Sequence, residues 1–118
     1  MNILLAEDDR KFGSILKREL EEESYIVDVV SNGVEAVLNF IHNSYDFVLL
    51  DLGLPRLGGT DALRIIKTLN PHVPAITFSG NAGSGEMAET VQCGAIRCFK
   101  KPFAIAQLIE DIRTCFAG

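Results

Sequence analysis

The chain has 118 residues, of which 47% are apolar, and a formal net charge of −5. This is room for one compact domain with a hydrophobic core and too little for two, so residues 1–118 are expected to form one domain. The acidic balance and scattered basic residues argue against gripping nucleic acid. No apolar run reaches the roughly 18 residues of a membrane span, and the start Met1-Asn2-Ile3-Leu4-Leu5 lacks the basic and long apolar regions of a signal peptide, so a cytoplasmic location is expected.

Short apolar runs alternate with segments of helical period. Ile3 to Ala6 reads as a first buried strand, and Phe12, Ile15, Leu16 and Leu20 then recur at helical spacing. Tyr25 to Val30, rich in β-branched residues, reads as a second strand. Asn32 with Glu35 three residues on resembles a capping box, and the helix behind it is expected to carry Val34, Val37, Leu38 and Ile41 on one face. Phe47 to Leu50 has no polar alternation, which predicts a third strand buried on both faces. Ala62, Ile65, Ile66 and Leu69 mark a third helix, and Ala75 to Phe78 a fourth strand. Residues Asn81-Ala82-Gly83-Ser84-Gly85 read as a mobile glycine-rich loop before a weak helix around Met87, Thr90 and Val91. Ile96 to Phe99 forms a short fifth strand, and Ile105, Leu108, Ile109, Ile112 and Phe116 line a last helix. Five strands alternating with five helices predict an α/β fold: a doubly wound, five-stranded parallel sheet of order 2-1-3-4-5, covered on both faces.

In such a sheet ligands bind beyond the carboxyl ends of the strands, at the switch point. Glu7, Asp8 and Asp9 follow the first strand, Asp51 the third, Ser79 the fourth, and Lys100 and Lys101 the fifth. With strands one and three adjacent, the carboxylates of Glu7, Asp8 and Asp51 would converge in one cleft. Converging carboxylates repel one another. A hard divalent cation such as Mg²⁺ resolves that conflict and commonly shares its shell with a phosphoryl group. A lysine and a hydroxyl across the cleft could hold further phosphoryl oxygens, and one carboxylate would be the nucleophile. Each piece alone has an ordinary explanation: helix N-terminal acids, a turn aspartate, a capping serine, surface lysines. Their conjunction at four strand ends points to movement of a phosphoryl group onto an aspartate.

At these residues the chain resembles the response-regulator receiver family of two-component signalling. The opening Ile3-Leu4-Leu5-Ala6-Glu7-Asp8-Asp9, the stretch Phe47 to Pro55 with Gly58-Gly59, and Gly94-Ala95 to Lys101-Pro102-Phe103 carry the likeness in order. The resemblance implies a flavodoxin-like receiver fold with Asp51 as phosphoacceptor. It further implies Mg²⁺ held by Asp8, by Glu7 through water, by Asp51 and by the carbonyl of Gly53. Asp9 would instead cap the first helix. Ser79 and Lys101 would contact the phosphoryl group, and the Lys101–Pro102 bond would be cis, whereas Lys100 points away as ordinary surface charge. Three departures stand out: Cys98 occupies the usual aromatic switch position, Gly53 opens the pocket mouth, and Gly80 replaces the frequent alanine after Ser79. Phosphorylation is expected to order the loop after the fourth strand and the weak fourth helix.

The implied donor is a histidine kinase or phosphotransfer protein. The implied receiver of the signal is a downstream protein or an output domain, met through the face of the fourth helix, fifth strand and fifth helix, where Cys93, Arg97 and Gln107 lie. Met1 directly before the first strand suggests an N-terminal position in any longer parent. Self-phosphorylation and autodephosphorylation would be ancillary, so the chain is not read as a conventional enzyme. The alternative within the family is a degenerate receiver acting as a phosphorylation-independent interaction module. A phosphatase passing through an aspartyl-phosphate would need a second acid close after Asp51, where Leu52, Gly53, Leu54 and Pro55 stand. No glycine-rich dinucleotide or nucleotide motif occurs. Cys93, Cys98 and Cys115 form no C-x-x-C pair and read as reduced, small buried side chains, and His42 and His72 as surface residues.

Overall fold

The computed structural model describes residues 1–81 and 83–117; Ala82, within the expected mobile loop, and Gly118 lie outside the described residues. Its elements run β1 (Asn2–Ala6), α1 (Arg10–Glu22), β2 (Ile26–Val30), α2 (Gly33–His42), β3 (Phe47–Asp51), α3 (Gly59–Leu69), β4 (Ala75–Ser79), α4 (Ser84–Gln92), β5 (Arg97–Lys100) and α5 (Ile105–Phe116). The strands form one parallel sheet of order β2-β1-β3-β4-β5, as the strand count and alternation predict. Consecutive strands connected through helices must cross over right-handedly, which leaves few other solutions. Strands β3 and β4 are covered on both sides: every residue of each is buried, the polar Asp51, Thr77 and Ser79 included.

Alternate residues of each strand feed two cores. Leu4, Val48, Leu50 and Ala75 meet Ala36, Ala62, Leu63 and Ile66 of α2 and α3 on one face. Ile3, Leu5, Phe47, Leu49, Ile76 and Phe78 meet Leu16 and Leu20 of α1 and Leu108, Ile109 and Ile112 of α5 on the other. The register seats β1 against β3 from Ile3↔Phe47 to Ala6↔Leu50, so residues immediately after Ala6 and Leu50 emerge at the same level.

The buried face of α2 differs from expectation. On α2 the buried positions are Gly33 and Ala36, with Val37 and Phe40 packed against the core, whereas Val34, Leu38 and Ile41 are exposed. The cause is proximity: a Cβ on Gly33 would lie 1.8 Å from the Leu57 carbonyl oxygen, so the helix enters too close to the neighbouring loop to turn a large residue inward. On α3, Leu63 is buried, whereas Ile65 and Leu69 are exposed. The expected capping box is half formed. Asn32 Oδ1 accepts from the Glu35 amide at 2.8 Å, but Glu35 reaches back to the amide of Ser31 at 3.2 Å instead of that of Asn32. Helix α4 begins at Ser84, so the segment read as loop to Gly85 is shorter, and β5 starts one residue later than expected. Cys115 is exposed and Cys93 and Cys98 are half-buried, which corrects the reading of three buried thiols. Both histidines are exposed, and among the described residues no helix is long and apolar enough to cross a membrane.

Candidate functional site

The loops after β1, β3, β4 and β5 enclose a cleft of about 440 Å³ lined by Glu7, Asp8, Asp51, Gly53, Ser79 and Lys101, among others. All the strand-end residues singled out from the sequence for metal or phosphoryl contact are therefore brought together. The parallel register is the reason: strands ending at one level deliver the residues after them to one rim.

Glu7 and Asp51 are buried and Asp8 is exposed. One carboxylate oxygen from each lies within 4.8 Å of the others, a spacing that a single small cation can bridge. All-oxygen, acid-rich donors of this kind suit a hard divalent ion, so the residues present fit Mg²⁺.

Lys101 Nζ sits between two of these acids, 2.7 Å from Glu7 Oε1 and 3.0 Å from Asp51 Oδ1. Its ammonium also lies 4.8 Å from the centre of the Phe12 ring. Burial works to lower the lysine pKa, but hydrogen bonds and attraction from Glu7 and Asp51 outweigh it, so the ammonium is held above its ordinary range. The Glu7 carboxyl is also pushed up, to its cost as an anion. Burial raises its pKa, and Asp51 adds to that, against the opposing pull of Lys101. The second oxygen of Asp51 accepts from the Gly53 amide at 3.1 Å. This leaves the carboxylate fixed in orientation by a cation and a backbone donor.

Asp9 stands apart from this set. Its Oδ1 accepts from the amides of Lys11 and Phe12 at 3.0 and 3.1 Å, the N-cap of α1. Lys100 is exposed on the strand, while the next residue turns into the cleft. The Lys101–Pro102 peptide bond is cis. Cys98 pairs in register with Thr77 and so faces the α4 side of the sheet.

Asn81 and Glu86 also line the cleft, and neither is singled out by the sequence. For Glu86 this depends on where α4 starts, which the glycine-rich sequence does not mark. Once α4 begins at Ser84, its first-turn acid Glu86 lies at the carboxyl edge of the sheet.

The ion pairs yield a quantitative expectation. Lys101→Met leaves buried Glu7 and Asp51 facing each other without their cation. Because the lysine side chain retains 25% exposure, the full cost of breaking a buried pair is discounted. A loss of about 2 kcal/mol in urea unfolding is expected without metal, shrinking on addition of millimolar Mg²⁺, which supplies the missing positive charge. An equal loss with and without Mg²⁺ would show that lysine and metal do not share this pair of carboxylates.

A family model described as the response regulator receiver domain matches residues 3–113. The chain is 30% identical over 114 residues to the transcriptional regulatory protein CusR of Escherichia coli K12, covering 97% of this chain and 50% of that protein. It thus spans about half the length of the curated relatives it matches. Among solved structures it is similar to the receiver domain of the Francisella response regulator 1452, with a TM-score of 0.89 and 29% identity over 96% of this chain and 93% of that one. The non-phosphorylated HemR receiver domain from Leptospira biflexa is similar at a TM-score of 0.87 and 31% identity, over 96% and 91% of the two chains.

Proposed function

Because the chain belongs to the response regulator receiver domain family, we propose that Asp51 is its phosphoacceptor, and that Glu7, Asp8, Asp51 and the Gly53 carbonyl hold Mg²⁺ beside it. The observation that carries this reading is the meeting of Glu7, Asp8, Asp51 and Lys101 in one cleft at the switch point of the sheet.

In the proposed reaction an Asp51 carboxylate oxygen attacks the phosphorus of the donor. The bond from phosphorus to the donor atom breaks, and its electron pair leaves with the donor. Lys101, already 3.0 Å from Asp51 Oδ1, stays beside the developing phosphoryl charge. The Gly53 amide holds the other carboxylate oxygen, so the attacking lone pair is oriented before the donor arrives. Ser79, on the adjacent strand end, is placed to meet a phosphoryl oxygen. When bound, Mg²⁺ would neutralise charge on the phosphoryl oxygens and on the acidic cluster.

The donor in this reading is a histidine kinase or phosphotransfer protein. The signal passes to a downstream protein or an output domain, with the face of α4, β5 and α5 as the surface offered to it. The domain's own groups also support slow phosphorylation from small donors and slow hydrolysis of the acyl phosphate.

Incubation with acetyl phosphate, followed by intact mass measurement, tests the chemistry. One added phosphoryl group that depends on Mg²⁺ is the expected result. No addition at any Mg²⁺ concentration would favour an interaction module that works without phosphorylation.

A further inference from the structure

Helix α4 is attached to the sheet in an unusual way. Among its described residues only Thr90 is buried. The helix carries no side-chain N-cap hydrogen bond, and positions Gly80, Gly83 and Gly85 around its start have open space where a side chain would be. A helix with so little apolar anchoring belongs to the part of a fold that opens at low cost.

Its one inward side chain is polar. Thr90 and Thr77 of β4 are both fully buried, and their hydroxyl oxygens are 3.0 Å apart. Thr90 also donates to the Met87 carbonyl at 3.1 Å. A threonine hydroxyl has a single proton, so with that proton committed to Met87, Thr77 is the donor to Thr90. The result is a directed relay, from Thr77 to Thr90 to Met87, that ties the strand to the first turns of the helix. A buried hydroxyl cannot slide gradually from its partner, because the intermediate position leaves a donor unmet. The contact is therefore two-state, made or broken.

Thr77 lies two residues before Ser79 on the same side of β4, and the chain from Ser79 runs through Gly80 and Asn81, both in the cleft, into α4. Beside Thr77 in register is Cys98, a small side chain that leaves the relay as the polar link between sheet and helix at this level. We propose that the Thr77–Thr90 hydroxyl pair is a latch that holds α4 in its unphosphorylated position and opens when the phosphoryl group on Asp51 draws in Ser79 and its loop. This deepens the receiver reading and rests on it.

The test uses beryllium fluoride with Mg²⁺ as the phosphoryl mimic on wild type, Thr77→Val, Thr90→Val and Thr90→Ser. Losing the latch removes part of the work of reaching the bound form, so both valine variants are expected to bind the mimic about three- to tenfold more tightly. Without mimic, amide exchange in α4 of both should be faster than in wild type, mimic should slow it in all three proteins, and exchange in β1 and β3 should not change. Thr90→Ser keeps the hydroxyl and should behave as wild type, which separates the hydroxyl from packing. Unchanged or weaker binding by the valine variants, with faster exchange spread over the whole sheet, would mean a merely structural contact and overturn the latch. If wild type itself fails to bind the mimic, the receiver reading of the pocket falls and the latch falls with it. Binding by wild type with no gain in the variants removes the latch alone.

Discussion

Asp51→Asn is expected to lower phosphorylation by acetyl phosphate at least about 100-fold while leaving the fold intact. Asparagine has the same shape but no anionic lone pair to attack phosphorus. Asp51 is 6% exposed and lies between the Lys101 ammonium, 3.0 Å from Oδ1, and the Gly53 amide, 3.1 Å from Oδ2. Both neighbours are donors, so an amide nitrogen placed on either side would meet a donor, and the variant loses one good hydrogen bond as well as its nucleophile. Removal of one of three clustered carboxylates should also weaken Mg²⁺ binding, by roughly tenfold, since hard-cation affinity follows ligand charge. Intact mass after acetyl phosphate treatment reads the first effect and a metal titration the second. A variant that still gains one phosphoryl group at the wild-type rate would move the acceptor role to another carboxylate of the cleft, with Asp8, the exposed member, the first to replace.

Gly59→Ala should cost about 3 kcal/mol and lower the melting temperature by roughly 10 °C. The glycine opens α3, and its need is close approach, not unusual backbone angles. An added Cβ would lie 2.2 Å from the Asp51 carbonyl oxygen and 2.9 Å from Leu52 Cα. Both are backbone atoms, so no side chain can swing aside. Relief requires the helix start to retreat from the end of β3, which breaks the 3.2 Å hydrogen bond from the Gly59 amide to the Leu52 carbonyl. Because β3 ends at Asp51, the same retreat shifts the proposed acceptor carboxylate, and phosphorylation should slow along with the loss of stability. Gly85→Ala is the control. That glycine lies inside α4 with nothing within 4 Å of an added Cβ, and alanine there should leave stability unchanged or raise it by about 0.5 kcal/mol. Thermal melts of the two variants side by side measure the contrast. A Gly59→Ala protein that melts with wild type would mean that the α3 entry is soft.

Much of this protein is legible in the order of its residues. Phe47 to Leu50 is apolar without alternation, the run expected of a strand covered on both faces, and every residue of β3 is buried. Five strands in alternation with helices leave one common parallel order, and that order puts the residues after β1 and β3 side by side. Topology alone therefore assigns the acids at 7, 8 and 51 and the lysine at 101 to one place, and the cleft contains them. The capping role of Asp9 is legible too, because an N-cap is a local contact within four residues.

The features that only the tertiary structure decided depend on distances between elements. Val34, Leu38 and Ile41 look like the inner face of α2 by size and spacing, yet Gly33 and Ala36 are inside, because the approach of that helix to Leu57 leaves no room for more. Glu86 enters the cleft only because α4 starts where it does, and a glycine-rich stretch gives no sign of where a helix begins. The Thr77–Thr90 pair is the clearest case. Two threonines thirteen positions apart carry no periodic signal, and hydrogen bonding between buried hydroxyls is set by the seating of one helix on one strand. Periodicity and strand-end chemistry are properties of the chain itself and so are written in its order. Which face a helix buries, and which polar groups meet beneath it, depend on close packing between segments that the order of residues specifies only together.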